Sequence, residues 1–421
     1  MADKKKEKRA NNLADQAVYD AYKDAIPENE AWTWQIEGLQ PPHIGRPYQN
    51  AGVKKAVTVL ILIVAIALSI FFSFRILHTD PFKYGETETD GAALIRFSNP
   101  GEMRSLTVDY AVSDVRTVVS TVTGEDGKPV QKTDYTLTPD KTRPVTSIGE
   151  YAFNCDEKLQ EISIGAQVTS IDPKAFYSCY ALKAFHVDPE NPNYCDVDGV
   201  LFNKDKTVLL CYPIDHDLYL REKYGYTAQY WPTDKWREKG LDKYNKDYTP
   251  EYEARVNTYI VPETVKTIGP LAFNYAELFR IYLPEGLERL ETMALFRNWH
   301  LEVCDTYTGK APEGEIPALS NLKASLPDSL TFIGSDCFNC DEQLQYVFIP
   351  ENVTEIGHHA FWGALKAASP DGVPRIYTAR SGESLKANVT LGDQWRGEYD
   401  KGLFPHASEV IGGAARAQID S

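Results

Sequence analysis

A nine-residue pattern, in which Val or Leu leads to Ile, Gly, Ala and Phe at fixed spacing, recurs along the chain and constrains its fold more than any other feature. Its six copies occupy residues 145–153, 168–176, 265–273, 287–295, 330–338 and 353–361. Adjoining copies are 22 or 23 residues apart, and most lead into a Leu-x-x-Ile-x-Ile segment, often closed by Pro. One coil of this length cannot bury its own apolar side chains, so each coil must stack on a similar neighbour. The pattern therefore predicts a solenoid.

A period of 22–23 residues lies in the range of leucine-rich repeats, with short parallel strands joined by turn or short-helix returns. Gly after the repeat Ile suits a tight turn where a Cβ would clash or where φ must be positive. Pro after the following strand has no amide hydrogen to donate, so it ends the strand pairing there. The predicted fold is a leucine-rich repeat solenoid over residues 143–378.

The unit VxxIGxxAFxxCxxLxxIxIP resembles the BspA-like, or type 5, leucine-rich repeat family of bacterial surface proteins. The stretch 187–213 is also typical of that family, as a β-hairpin module inserted between coils. The resemblance implies adhesion or host interaction without a catalytic set of residues. The chain departs from the family pattern in an insertion at 214–257, a second at 304–320, and a repeat in which Leu290 and Glu291 replace Ile and Gly.

Residues 56–74 form an uninterrupted run of 19 apolar or small residues without charge, Pro or Gly. As a helix this run is about 28 Å long, close to the hydrocarbon thickness of a bilayer. Lys54, Lys55 and Arg75 flank it at headgroup depth. A signal peptide would begin near residue 1 and end in small residues, and a buried core helix is seldom so uniformly apolar. The sequence therefore predicts a single-pass transmembrane helix at 55–77.

The orientation of this helix depends on a basic cluster near the N-terminus, at residues 4–9, because its immediate flanks are balanced in charge. The positive-inside rule places this cluster in the cytoplasm and the larger part outside the cell. The predicted organisation is a cytosolic tail (1–54), the helix, a stalk with a small β capping unit (78–142), the solenoid, and a C-terminal cap and tail (379–421).

Acidic residues outnumber basic ones by 60 to 44, which gives a formal net charge of −16. A surface this acidic repels phosphate backbones, so a nucleic acid is not a predicted partner. The sequence contains no H-E-x-x-H, G-x-S-x-G, Walker or G-x-G-x-x-G motif. His358 and His359 fall on variable repeat positions and are predicted at the surface. We therefore predict a protein without catalytic activity, metal or cofactor.

Two of the seven cysteines, Cys337 and Cys340, have the C-x-x-C spacing used by redox pairs and zinc sites. Cys337, however, occupies the Ala position of its repeat, and Cys340 has the same offset as Cys155. This favours small packing residues in the coil interior. Cys195 and Cys211 lie on facing halves of the hairpin module, and the sequence leaves open a disulfide between them.

The insertion at 214–257 is the strongest functional signal because it is unusually rich in aromatic residues. Tyr and Trp supply rigid contact area with a polar group, which is why they concentrate in binding patches. The candidate ligand-binding residues are Tyr224, Tyr226, Tyr230, Trp231, Trp236 and Tyr244. The opposing interpretation is that these rings pack the insertion onto the coils. A sheet face carrying Ser163, His186, Tyr282 and Phe348 is the second candidate.

The leading hypothesis is a membrane-anchored protein that uses an extracellular solenoid to hold a protein or glycan ligand in cell-surface binding or adhesion. The alternative is a structural or envelope-assembly protein whose tail, residues 1–54, couples the surface to a cytosolic partner. A glycan hydrolase is a third possibility, but no motif supports it.

Overall fold

The computed structural model describes much of the chain after residue 80, within one unit, Asp80–Ser421. The described residues are 81–87, 91–99, 103–123, 127–226, 250–310, 322–323, 325–344, 346–365, 375–380, 384, 390–391 and 409–412. Within these ranges no helix is both long enough and apolar enough to span a bilayer. The predicted tail 1–54 and the apolar run 56–74 lie outside the described residues, so the anchor stays a prediction.

Short strands account for most of the regular structure. The strands of the first half are β1 (Phe82–Glu86), β2 (Ala92–Phe97), β3 (Ser105–Val108), β4 (Tyr110–Thr123), β5 (Pro129–Ile148), β6 (Glu161–Ile164), β7 (Ser170–Ile171), β8 (Ala184–Val187), β9 (Tyr194–Val197), β10 (Val200–Asn203) and β11 (Val208–Cys211). Helices α1 (His216–Tyr224) and α2 (Pro250–Arg255) follow. The remaining strands are β12 (Thr258–Ile260), β13 (Thr267–Ile268), β14 (Arg280–Pro284), β15 (Arg289–Leu290), β16 (Val303–Tyr307), β17 (Leu322–Lys323), β18 (Phe332–Ile333), β19 (Tyr346–Ile349), β20 (Glu355–Ile356), β21 (Arg375–Thr378), β22 (Thr390–Leu391) and β23 (Glu409–Gly412).

The repeat isoleucines form a column of parallel strand pairs, which we call the Ile ladder. Strands β11, β13, β15, β18, β20 and β22 pair in that order, and the end of β5 pairs with β7 in the same way. Leu290 lies opposite Ile268 on one side and Ile333 on the other. Each of the six predicted repeats therefore contributes its Ile or Leu at the expected register, which confirms the leucine-rich repeat fold.

The Leu-x-x-Ile segments form a second column of parallel strands. It consists of three sheets, with the orders β3-β6-β8, β12-β14-β16 and β19-β21-β23. Its first interruption contains the insertion predicted at 214–257. Its second begins only after β16, so the start of the insertion predicted at 304–320 is wrong: residues 304–307 belong to the column. At the second interruption Ser325 bridges the neighbouring strands. Its amide donates to Asp305 Oδ1 at 2.6 Å, and its hydroxyl oxygen accepts the amide of Phe348 at 2.8 Å.

Stacked phenylalanines fill the interior between coils. The rings of Phe338 and Phe361 lie 5.3 Å apart and almost parallel. The glycine after the repeat Ile serves the close approach of coils: the Gly357 amide donates to the Ile333 oxygen at 2.8 Å, and a Cβ on Gly357 would lie 2.3 Å from the Ser335 nitrogen. Its φ is not in the left-handed region. Of the two reasons for glycine predicted above, the clash of a Cβ is therefore the correct one, and it arises between neighbouring coils.

The region 78–142 contains a further coil and a long hairpin. Strand β2 runs parallel to β5 and β3 parallel to β6, so residues 92–108 extend both columns ahead of the first predicted repeat. Strand β1 covers β2 in antiparallel pairing. Residues 110–123 and 129–144 pair as an antiparallel ribbon, here called the exposed ribbon. The valines of its outer part face solvent on both sides, with Val118 58% and Val119 62% exposed, whereas Val112 and Val115 near its base pack against the N-terminal core.

A second hairpin, made of β9 and β10 and here called the partition hairpin, lies between the N-terminal and C-terminal coils. Leu201 packs in the N-terminal core, whereas Val200 and Phe202 pack in the C-terminal core. The hairpin also hydrogen-bonds to the N-terminal coils, because the Phe185 amide donates to the Gly199 oxygen at 2.9 Å. Strand β10 thus packs against a different hydrophobic core on each face.

All seven cysteines are free thiols. Cys195 and Cys211 do not pair, because β10 lies between the strands that carry them. Cys337 is fully buried, in line with the packing role predicted for it. The same role was wrong for Cys155, which is exposed, and for Cys340, which is half-buried. Both occupy left-handed turn positions, with φ of 57° and 67°, near the outer surface of their coils.

Candidate functional site

Two of the six predicted site residues, Tyr224 and Tyr226, lie in the described part of the insertion. Both are half-buried against a small core formed by Leu220, Tyr252 and Val256. The Tyr226 ring meets the buried Tyr252 ring edge-on at 4.8 Å, and the Arg255 guanidinium lies 4.5 Å from the centroid of Tyr224. These two rings hold α1 against α2. Tyr230, Trp231, Trp236 and Tyr244 lie outside the described residues, so their role stays a prediction.

Helix α1 fastens the insertion to the coils through a buried histidine and a lysine. His216 is buried, and its Nδ1 lies 2.8 Å from the Lys183 carbonyl oxygen. Burial lowers the pKa of His216 to about 4, so the imidazole is neutral at physiological pH. The Lys183 ammonium lies 2.6 Å from Glu222 and 3.2 Å from Glu161, which joins α1 to strand β6.

Three carboxyl groups, those of Asp215, Asp217 and Glu277, meet where α1 contacts the C-terminal coils. Burial, reinforced by the charge of Asp217, raises the pKa of Asp215 to about 8. The same two causes raise the pKa of Glu277 to about 7. The positive charge of Arg221 partly offsets the negative charge of this group, because its Nη2 lies 3.3 Å from Asp217 Oδ2. Nowhere in the described ranges are three or more His, Cys, Asp or Glu side chains placed to hold a metal ion.

Two groups of contacting aromatic side chains lie on the Ala-Phe turns of successive coils, Tyr151 with Tyr177 and Tyr275 with three further rings, and we call the whole set the aromatic row. It consists of Tyr151, Tyr177, Tyr180, Tyr275, Phe296 and Trp299. Three of these rings reach well into solvent: Tyr151 is 43%, Tyr180 44% and Trp299 47% exposed. Tyr275 and Phe296 are buried, so the row exposes these three large rings only.

Backbone hydrogen bonds between the turns hold the aromatic row in place. The Cys155 amide donates to the Tyr177 oxygen at 3.2 Å, and the Tyr275 amide donates to the Phe296 oxygen at 3.1 Å. Left-handed residues recur in these turns, as at Tyr151 (φ 56°) and Tyr275 (φ 60°). The repeat Phe then faces the core while its neighbours line the outside. Each coil therefore presents its variable turn residues beside those of the next coil.

The rings of the aromatic row contact one another edge-on. Their centroids are 6.0 Å apart for Tyr151 and Tyr177, 5.5 Å for Tyr180 and Tyr275, and 5.6 Å for Tyr275 and Trp299. Burial raises the pKa of Tyr275 to about 12, so its phenol is neutral. The phenol oxygen accepts a hydrogen bond from Arg297 Nη1. These contacts restrict the conformations that the rings can adopt.

A shallow depression of about 610 Å³ adjoins the row at Tyr151. Its lining is mostly polar and includes Asn99, Asn154, Glu157 and Lys158. The second predicted site, the sheet face, does not form one surface. Ser163 and His186 line a separate depression of about 270 Å³, whereas Tyr282 and Phe348 are buried.

The sequence contained a signal for the aromatic row that the repeat analysis did not use. Tyr177 and Phe296 directly follow the last residue of the nine-residue pattern, and Tyr180 and Trp299 lie four residues after it. Aromatic residues thus recur at variable positions of the repeat. Aligning the repeats and comparing only those positions would have shown the row.

A model of the BspA type leucine rich repeat region matches this sequence in six copies, over residues 137–197 and 247–368. No curated protein matches the chain.

Several solved structures are similar at low identity. The pneumococcal vaccine antigen PcpA is 17% identical with a TM-score of 0.33, and the match covers 80% of this chain and 98% of PcpA. A leucine rich cell surface protein from Faecalibacterium prausnitzii is 14% identical with a TM-score of 0.33, covering 82% of this chain and 96% of its own. A leucine-rich repeat protein from Eubacterium ventriosum is 16% identical with a TM-score of 0.28, covering 59% and 66%.

Proposed function

The repeats of this chain are BspA-type leucine-rich repeats, and from that premise we propose that the protein holds a ligand at the cell surface. The observation that carries this proposal is the aromatic row, which exposes Tyr151, Tyr180 and Trp299 on stacked coils. Exposed Tyr and Trp side chains on a rigid backbone bind with little loss of conformational entropy. They are also the residues that most often dominate binding energy.

The proposed cellular position follows from the sequence. Residues 56–74 anchor the protein, the basic cluster at residues 4–9 stays in the cytoplasm, and the solenoid faces outward. Protease added to intact, wall-stripped cells is expected to digest the part after residue 77 and to spare an N-terminal tag. Protection of the larger part would contradict this topology.

Binding is tested with the purified full chain in detergent micelles on an array of extracellular-matrix proteins and glycans. We expect at least one bound feature that weakens tenfold or more in a Tyr180→Ala/Trp299→Ala variant, which corresponds to more than 1 kcal/mol. Trp362→Ala is the matched control, because Trp362 is equally exposed, at 45%, but contacts His359 rather than the row.

The insertion is tested on the same array with a Trp231→Ala/Trp236→Ala variant. Loss of binding in this variant alone would move the site to the insertion and leave the binding function intact. An array without any bound feature would contradict the proposed function itself.

A further inference from the structure

Strand β4 has a free edge along the outer part of the exposed ribbon. Among the described residues β4 pairs with no strand except β5, and it stands last in its sheet. Alternate residues of an edge strand direct their N–H and C=O groups away from the neighbouring strand, where a further strand can pair with them. Natural proteins usually protect such an edge with Pro, a charge or a bulge. Residues 117–123 contain none of these over seven consecutive positions.

The outer part of the exposed ribbon also carries most of the exposed aliphatic surface. Of the five large aliphatic side chains that are exposed among the described residues, four belong to it: Val118, Val119, Val122 and Val130. A two-stranded ribbon is only marginally stable in water, whereas three or more strands with an apolar face are stable by themselves. Strands added at the free edge of β4 would therefore stabilise the outer part and reduce the exposure of its valines.

The sequence of this edge is suited to pairing with itself. Residues 117–123 read Thr-Val-Val-Ser-Thr-Val-Thr, which is almost the same in both directions. When two copies of this segment pair antiparallel about a twofold axis at Ser120, opposing side chains have the same type or, for Val and Thr, the same shape. The opposing pairs are Thr117 with Thr123, Val118 with Val122, Val119 with Thr121, and Ser120 with its own equivalent. Cross-strand pairs of β-branched residues and of Thr with Thr are favourable.

The distribution of charge favours contact between two copies at the exposed ribbon. The formal net charge is −16, so two copies repel each other over long range. Residues 110–144, which include the ribbon, carry five acidic and five basic side chains and are neutral as a whole. Arg116 lies 2.8 Å from Asp114, and Lys132 lies 2.9 Å from Asp134. Two copies therefore meet with least repulsion at the ribbon, whereas a basic partner would be attracted to the acidic remainder of the protein.

We propose that the free edge of β4 is a self-association surface, at which residues 117–123 of two copies pair antiparallel about a twofold axis at Ser120 and form one four-stranded sheet. This inference goes beyond the proposed ligand binding and uses no residue of the aromatic row. The paired segment is short compared with the roughly 20–30 residues on each side of a stable interface, so we expect a weak dimer with a dissociation constant on the order of 1 µM or more. In dilute solution the protein is then monomeric, with the ribbon exposed.

Sedimentation equilibrium of the full chain in detergent micelles tests the proposal. Micelles are kept in excess over the protein so that two chains seldom share one by chance. The salt concentration is about 0.15 M, at which exposed charges more than about 8 Å apart are largely screened. Between about 0.1 and 100 µM protein we expect a reversible equilibrium between monomer and dimer without larger species.

Charge substitutions test the register of the two strands. A Val119→Lys/Thr121→Lys variant should weaken the dimer by about tenfold or more, because each new lysine lies opposite a lysine of the second copy. A Val119→Glu/Thr121→Glu variant should weaken it similarly. An equimolar mixture of the two variants should associate within about threefold of the wild type, because Lys then lies opposite Glu. Within one chain these positions lie opposite the uncharged Thr133 and Gln131, so β5 places no charge directly across from them.

Gln131→Lys/Thr133→Lys is the matched control. It places the same charges on the same face of the exposed ribbon, but on β5, one strand farther from the second copy. It should therefore change the dissociation constant less than about threefold. The Tyr180→Ala/Trp299→Ala variant should leave the dimer unchanged. Thermal melting of dilute protein verifies that each variant is folded.

Five results would overturn the inference: a monomer at every concentration, assembly beyond the dimer, a dimer that Val119→Lys/Thr121→Lys leaves intact, no recovery of association in the mixture, or a control variant that weakens the dimer as much. The third result would place the contact on another surface of the protein, and the last would place it on the edge of β5.

Discussion

The two hairpins inserted among the coils have opposite environments. In the partition hairpin, Val200, Leu201 and Phe202 of one short strand are all buried, because a separate core covers each face. In the exposed ribbon, strand β4 pairs only with β5, and Val118 and Val119 on opposite faces both point into solvent. Both hairpins are rich in apolar or β-branched residues. Burial therefore follows from which coils lie on either side of a hairpin, and the composition of its strands does not decide it.

The difference matters for stability. A two-stranded ribbon in water is only marginally stable. The outer part of the exposed ribbon therefore depends on cross-strand pairs of β-branched residues, such as Val122 and Val130. The partition hairpin instead gains the transfer free energy of apolar side chains on both faces. We expect the exposed ribbon to tolerate substitution. A substitution in the partition hairpin should instead destabilise both halves of the solenoid.

Leu201→Asp is expected to have the largest effect. It places an unpaired carboxylate in the N-terminal core, where Leu201 is 1% exposed, at a cost of several kcal/mol. Thermal unfolding followed by circular dichroism should show a large fall of the midpoint or loss of the folded state. A midpoint within a few degrees of wild type would contradict the burial of β10 between two hydrophobic cores.

Gly199→Ala and Gly127→Ala compare the two hairpin turns directly. Both glycines have left-handed backbones, with φ of +80° and +76°, so alanine costs about 1 kcal/mol at each. At Gly199 the new Cβ would also lie 2.9 Å from the Ala184 Cβ, whereas nothing lies within 4 Å at Gly127. Urea denaturation should therefore show a loss for Gly199→Ala that is larger by about 1 kcal/mol or more. Equal losses would contradict the packed turn.

A pH dependence should arise near the partition hairpin, where α1 docks. Because the folded protein raises the pKa of Asp215 to about 8 and of Glu277 to about 7, it binds these protons more tightly than the unfolded chain. Their stabilising contribution is complete below about pH 4 and is lost as the pH rises through 7 and 8.

Asp215→Asn tests this dependence, because it keeps the shape of the side chain and removes the titration. Between pH 6.5 and 8.5 its free energy of unfolding should fall less than that of the wild type, by a difference on the order of 1 kcal/mol. Thermal melting should show this as a smaller fall of the midpoint. Parallel pH profiles for the two proteins would assign the dependence to other groups.

Val119→Asp is expected to have the smallest effect and is the matched counterpart of Leu201→Asp. The side chain is 62% exposed, so the same substitution should change stability by about 0.5 kcal/mol or less. The measurement is again the thermal midpoint. A loss comparable to that of Leu201→Asp would show that something covers the ribbon in solution.

The register in which the coils stack was predictable from the isoleucine of each repeat. Ile268, Ile333 and Ile356 are fully buried at the register that the repeat requires. Ile171 differs, since it is only half-buried and its amide donates to the Tyr194 hydroxyl at 3.0 Å. The Ile ladder stops there because the partition hairpin intervenes, and the repeat pattern carries no information about that neighbour.

The candidate site was less predictable. The search for aromatic residues near one another in sequence found the insertion, in which the described candidates Tyr224 and Tyr226 pack between helices α1 and α2. The aromatic row joins residues far apart in the chain, such as Tyr180 and Tyr275, which lie 95 positions apart and yet in ring contact. Only the stacking of coils across the long insertion brings them together.

The sequence by itself determined the repeat, its period and the residues of its core, because every coil must bury the same side chains against its neighbour and so repeats the same local pattern. The tertiary structure decided the rest. It placed one hairpin between two cores and left the outer part of the other in solvent, and it brought variable turn residues together in the aromatic row. These outcomes depend on contacts between segments distant in sequence, whose partners no local pattern specifies.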